Sequence, residues 1–353
     1  MEVKYILYTA AEVRAWLYKG IDNGLSEQII SKVRANAIIH NPYITDNMIV
    51  VVAAKDGAKV VGYTAMFPDY LIHPHERLTV PTTLYAHPDY ASEFIGYNVT
   101  KLLHDTSEGR YVIGTDMAKE AALIDRLLGL EVKQLPRNRY VFRRNIQLSS
   151  IRCVVSFVIE PFRRLHQKFY IYKLQKKKQP NTIHVQYTNF IDAEAYQFIC
   201  ENSRNDMFLR SQKMLNWLIR NPFSVDAIIY DNIVETNIFV TQLKDWKWNT
   251  VKVYDGDALI GLFAIRSQND MIDIMMLYTS KHNEKSVYLI LLKHIIELRP
   301  KQVRSIYKSL NTFICQTGVA LKQYTEKYIF TYPKSLKIDL DKQMQGMDGD
   351  MFA

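Results

Sequence analysis

KDGAKVVGY at residues 55–63 and YDGDALIGL at residues 254–262 are one element written twice. In the first, the apolar run IVVVAA leads into Asp56-Gly57 and a second apolar run, KVVGYTAMF, leads out. Asp-Gly supplies the positive φ values of a type I′ turn, so the stretch is a β-hairpin. Outward from this hairpin the two regions stay in step. Upstream, Tyr8-Thr9 has its counterpart in Tyr187-Thr188, and ANAIIHNPY (Ala35 to Tyr43) has its counterpart in LNWLIRNPF (Leu215 to Phe223). Downstream, Leu84-Tyr85 matches Leu277-Tyr278, Gly129 matches Gly318, and RYVF at Tyr140 matches KYIF at Tyr328. One such match is within chance. Six in the same order, about 180 to 200 residues apart, indicate a duplicated domain. The expected division is a first copy over residues 1–145, a connector over 146–180, a second copy over 181–335 and a tail over 336–353.

Periodicity supplies the remaining elements of a copy. VKYILYT reads as a strand, and Thr9 with Glu12 as a capping box opening a helix. A second helix is expected from Ser26, with Ile29, Ile30, Val33 and Ala37 on one face and Asn41-Pro42 stopping it. RLTVPTTLY is a further strand, with Pro81 at an edge or bulge. Ser92 to His104 reads as helix, YVIGT as strand, Met117 to Leu128 as a helix closed by Gly129, and RYVFRR as the last strand. The order β-α-α-β-β-β-α-β-α-β predicts an α/β fold with a mixed sheet in each copy.

The chain has 353 residues, 48% hydrophobic and 23% charged, an ordinary globular balance with room for two cores. No apolar run approaches the ~20 residues of a membrane span, and the N-terminus lacks the pattern of a secretory signal. A cytoplasmic protein is expected. Cys153, Cys200 and Cys315 suggest neither a disulfide framework nor a zinc site and read as small core residues. His73 and His75 lack a third ligand nearby and read as loop, so no metal is expected. Trp217 reads as core, with the lining of an acceptor cleft as its functional alternative.

The net charge of +9 is concentrated. Residues 143–178 hold ten of the 45 basic residues and one of the 36 acidic ones, which leaves 35 of each sign elsewhere. There, Phe157, Ile159, Phe162, Leu165, Phe169 and Tyr172 alternate with bases. That pattern suits peripheral contact with an anionic membrane at its inner face, or a helix packed between the copies with a solvated basic face. Charge alone would also attract tRNA and does not discriminate.

The hairpin, the strand-loop-helix after it and the closing helix-Gly-strand resemble the GNAT superfamily of acyl-CoA-dependent acyltransferases. Duplication with the element NWLIRNP (Asn216 to Pro222) resembles GNAT-type proteins of bacterial surface-polysaccharide clusters, and also the Fem-type transferases. The resemblance implies two tandem GNAT-like domains, each a mixed sheet flanked by helices. It implies an N- or O-acyltransferase using acetyl-CoA or another acyl-CoA, with a small-molecule or glycan acceptor such as an amino sugar. A Fem-type reaction would take aminoacyl-tRNA instead, and a catalytically silent double domain would serve as a scaffold. By the same resemblance, acyl-pantetheine meets the strand ending at Tyr85 and Ala86, and the next helix N-terminus holds the pyrophosphate. The family pattern there is R/Q-x-x-G-x-G/A. Residues 91–96 match it only at Gly96, beside Ile95, with Asp89 and Glu93 as unfavourable charge; the second copy has no glycine but offers Lys285 and Ser286. Which copy is competent stays open. The family's tyrosine acid falls at Asp125 and Ile314, and the base position on the fourth strand falls at Asp273.

Overall fold

The computed structural model describes all residues except 1, 108, 144–152, 178–179, 222–246, 269 and 347–353, and excludes the side chains of 153–160 and 163. Pro222, Phe223, much of the connector before residue 153 and the end of the tail therefore lie outside the described residues. The first copy runs β1 (Val3–Thr9), α1 (Ala10–Lys19), α2 (Lys32–Ile39), β2 (Ile49–Asp56), β3 (Lys59–His73), β4 (Glu76–Ala86), α3 (Ile95–Asp105), β5 (Tyr111–Val112), β6 (Gly114–Thr115), α4 (Lys119–Leu127) and β7 (Leu130–Val141). A long helix, α5 (Cys153–Lys176), follows. The second copy repeats the order as β8 (Ile183–Thr188), α6 (Ala193–Asn202), β9 (Leu209–Arg210), α7 (Gln212–Arg220), β10 (Lys247–Asp255), β11 (Ala258–Gln268), β12 (Met271–Thr279), α8 (Glu284–Leu298), β13 (Gln302–Ser305), α9 (Lys308–Thr317) and β14 (Lys322–Pro333).

Local signals act as expected where they depend on a turn or two of chain. Thr9 Oγ1 accepts from the Glu12 N–H, and the Thr9 N–H donates to Glu12 Oε2 at 2.7 Å, closing the capping box of α1. Gly57 and Gly256, at φ 59° and 58°, turn the two hairpins, but each is the only positive-φ residue of its turn, so the turns are not the expected type I′. Two helix starts differ from expectation. Ser26 heads only a single turn. Ser31, extended and bonded through its side chain to the Arg34 N–H, caps α2 instead. Pro88–Glu93 forms a 3-10 turn, and α3 begins at Ile95 after Phe94 takes φ 52°.

The closing strands are exchanged. β7 of the first copy lies between β13 and β14 in a sheet ordered β6-β14-β7-β13-β12-β11-β10-β8. β14 of the second copy pairs in turn with β6 of the first, Phe330 against Thr115 and Thr331 against Gly114. β7 and β14 run antiparallel along their whole length, Leu130 opposite Pro333 and Val141 opposite Lys322. The other sheet, β1-β2-β3-β4-β5, also receives β9 of the second copy against the end of β3. There Arg210 Nε meets Asp69 Oδ2 at 2.6 Å, both side chains buried.

One core is shared between the copies and contains Ile38, Val51, Tyr63 and Phe67 together with Trp217, Leu218, Leu262 and Met276. Two further clusters lie separately, one around α3 and one around α8. At the junction Trp217 Nε1 donates to the Ala37 carbonyl at 2.9 Å and its ring lies 5.0 Å from Phe67. Ala37 and Trp217 are equivalent positions of the repeat, so a small residue faces a large one where two copies of either would clash or leave a void. Trp217 is core, not a cleft residue. Cys200 and Cys315 are exposed rather than buried.

Candidate functional site

Both sheets open at the same place. In β4, Ala65 pairs with Thr83 and Met66 with Pro81, which makes Thr82 the extra residue of a β-bulge. In β12, Ala264 pairs with Met276 and Ile265 with Ile274, which makes Met275 its counterpart. On the other edge β4 meets the parallel β5 at Leu78 and Thr79, and β12 meets the parallel β13 over Met271–Asp273. Beyond these pairs the strands diverge, and each leaves a gap at its C-terminal end beneath a helix N-terminus. Gaps of this kind are the usual ligand sites of open α/β sheets.

Glycine seats the helix over each gap. A Cβ at Gly62 would lie 2.2 Å from Ile95 Cγ2, and one at Gly261 would lie 2.4 Å from Val287 Cγ2. Ile95 and Val287 are therefore equivalent, so Gly96 corresponds to Tyr288. Counting back from Gly129 and Gly318, Ala118 corresponds to Tyr307 and Asp125 to Ile314.

The second gap is filled from both sides. Tyr307 Oη lies 3.1 Å from the Met275 carbonyl and 2.7 Å from Gln345 Oε1. The Leu277 N–H donates to the same Gln345 oxygen, and the Gly346 N–H donates to Tyr307 Oη. Tyr307 thus takes the Met275 carbonyl of β12, and the tail takes the Leu277 N–H. A Cβ at Gly346 would stand 2.2 Å from the Ile274 carbonyl oxygen, so this close approach requires glycine. Gln343 anchors the tail through backbone bonds to Met207 and Asn205, and Gln345 Nε2 donates to Asp206. On the other face Tyr288 Oη and Ser309 Oγ share a hydrogen bond of 2.7 Å between α8 and α9.

The first copy has Ala118 and Gly96 at the places of these two tyrosines. Its residues singled out from the sequence come together: Tyr85 and the exposed Ala86 end β4, and Ile95 and Gly96 form the first turn of α3. Their roles divide. The Ile95 side chain is fully buried against Gly62, and Gly96 lets Ile124 of α4 approach, since a Cβ there would lie 3.1 Å from Ile124 Cδ1 and 3.6 Å from Ala86 Cβ. The α3 N-terminus has no side-chain cap, leaving its first N–H groups for a ligand or solvent. On the opposite face the Tyr85 ring lies 5.3 Å from Tyr63, whose hydroxyl is pushed up to about 12 by burial. Lys285 is exposed and Ser286 half-buried, both in the first turn of α8, away from the first gap.

Asp273 corrects an expectation. It is buried, with Arg266 Nη2 at 2.8 Å and Arg304 Nη2 at 2.9 Å from its Oδ2. Burial alone would raise its pKa, but the two guanidiniums hold it well below the carboxylate range. It ties β11, β12 and β13 together, and a carboxylate so neutralised is a poor proton acceptor. Asp125 is also buried, but beside Thr331 of the exchanged β14, whose hydroxyl lies 2.5 Å from Oδ2. Burial pushes its carboxyl up to about 6. Sequence reasoning missed the plug residues Tyr307, Gln345 and Gly346, because their partners lie 32 to 139 positions away. Among the described residues no group of three or more His, Cys, Asp or Glu could hold a metal, and His73 and His75 sit at the β3–β4 turn.

No family model matches this sequence, and no curated protein does. Solved structures match across nearly all of it. A candidate acetyltransferase from Pyrococcus horikoshii superposes with a TM-score of 0.51 at 9% identity, over 97% of this chain and 91% of that one. A GCN5-related N-acetyltransferase from Kribbella flavida gives 0.50 at 10% identity, over 93% and 70%. A conserved protein of unknown function from Enterococcus faecalis V583, a candidate N-acyltransferase, gives 0.52 at 10% identity, over 94% and 72%. At such identities the likeness is one of fold. The chain has the GCN5-related N-acetyltransferase fold in duplicate, as two mixed sheets flanked by helices.

Proposed function

We propose that this chain is an acyltransferase that takes an acyl group from acyl-CoA, most simply acetyl, and that the first copy carries the reaction. The asymmetry of the two gaps carries this reading. Tyr307 and Gln345 fill the second, whereas the first has only the small Ala118 at the place of Tyr307. The free edge of β4 around Thr82 and Leu84 would bind the pantetheine amides, and the uncapped α3 N-terminus would face the phosphates. Asp89 and Glu93 are exposed there, where solvent screens their repulsion.

In the transfer, the acceptor nitrogen or oxygen bonds to the thioester carbon, the C–S bond breaks, and one proton passes from acceptor to sulfur. Backbone N–H groups at the β4 bulge are suited to stabilise the tetrahedral oxyanion. Positioning supplies the rest, without an assigned base. Tyr85, half-buried and backed by the buried Tyr63, offers an aromatic face for a polar ring, and amino sugars are the acceptors to screen first.

Isothermal titration with acetyl-CoA, with CoA as control, tests the reading. One site per chain is expected. Gly96→Trp should weaken binding by about tenfold or more, with Lys285→Ala unchanged. Absence of binding at high ligand concentration overturns the reading, and loss on Lys285→Ala alone moves the site to the second copy.

A further inference from the structure

The long helix α5 carries a stripe that none of the three hydrophobic clusters uses. Phe162, Leu165, Phe169 and Tyr172 are 70%, 67%, 61% and 55% exposed, and their spacing of three, four and three places them along one face. The helix is held with that face outward. On its opposite side Gln167 is buried and donates through Nε2 to the carbonyls of Phe142 (2.9 Å) and Val319 (2.7 Å). Leu174 is buried, and the Tyr170 ring packs against Gly318. At 3.6 residues per turn, Arg164 and Lys168 fall on one flank of the stripe and Lys173 and Lys177 on the other. The Lys176 ammonium lies 4.7 Å over the Tyr172 ring. Residues 161–177 contain no acidic residue.

We infer that this face of α5 docks on an anionic membrane surface, with the four apolar side chains entering the headgroup–acyl boundary and the flanking bases meeting lipid phosphates and carboxylates. Charge complementarity selects this occupant. An apolar stripe bordered by cations on both flanks matches a layer that is apolar below and negative above. A nucleic acid would bind the bases but leave the stripe exposed. Among the described residues no helix is long and apolar enough to cross a membrane, so α5 would lie on the surface. The inference is independent of the acyl-transfer reading.

Co-sedimentation of the full chain with vesicles of phosphatidylcholine, with and without phosphatidylserine, tests it. Binding is expected only to the anionic vesicles and should fall with added salt. Lys168→Glu with Lys173→Glu, and separately Phe162→Ser with Phe169→Ser, should each weaken binding by roughly tenfold or more. These side chains are exposed, so the variants should keep the wild-type melting temperature. Failure of the wild type to pellet with anionic vesicles at low salt overturns the proposal. So does unchanged binding by the serine variant, which would reveal a mere polyanion patch. A dimer dissolved by the serine variant, without vesicle binding, would assign the stripe to a second copy.

Discussion

Asp125 and Asp273 are both buried aspartates, and their surroundings drive them in opposite directions. Asp125 has a neutral threonine beside it, so desolvation wins and the folded carboxyl holds its proton up to about 6, against an ordinary 3.8. Its contribution is fully present below the unfolded value, declines as pH rises through 6, and is flat above. The difference is on the order of 3 kcal/mol. Asp125→Asn should flatten this part of the stability profile, as read from denaturant melts at mildly acidic and neutral pH; an unchanged slope would sink the assignment. Asp273 has the other sign. Its pairing with Arg266 and Arg304 persists at neutral pH and weakens only as acid protonates it. The sequence placed both residues on the right elements. It could not show their partners, because Thr331 and Arg304 arrive from 206 and 31 positions away.

At the scale of elements, the tail is the segment whose role changed most. In sequence it is an unremarked extension at 336–353, and in the fold its Met344 and Gln345 are buried and Gly346 packs against β12. Backbone, not a flexible side chain, blocks a Cβ at Gly346. Gly346→Val should therefore expel the tail, and amide exchange at Leu277 should quicken by about tenfold or more as its bond to Gln345 is lost. Retained protection would mean that the tail does not close the gap in solution. Hairpins and caps were legible because Asp-Gly and Thr-x-x-Glu act within a few residues. The start of α2 was not, since both Ser26 and Ser31 can cap and only packing of the buried Ile29-Ile30 turn selects the second.

For the whole molecule, exchange of β7 and β14 makes the copies interdependent. Each supplies a strand to the other's side of the sheet, and the buried Asp69–Arg210 pair joins them again. A segment of residues 1–145 alone would expose β7 and leave β6 without β14. It should show no cooperative thermal transition, whereas the intact chain should melt in one step; an independently folding segment would contradict this. The sequence by itself determined the duplication, the hairpins, the helix stops at Gly129 and Gly318 and the α/β class, because these rest on local backbone preferences and on side-chain periodicity. Only the tertiary structure decided which sheet each closing strand joins, which gap the tail fills and which aspartate serves as a structural ion. RYVF and KYIF are too alike in sequence to name their own partners, and the deciding contacts join residues far apart in the chain.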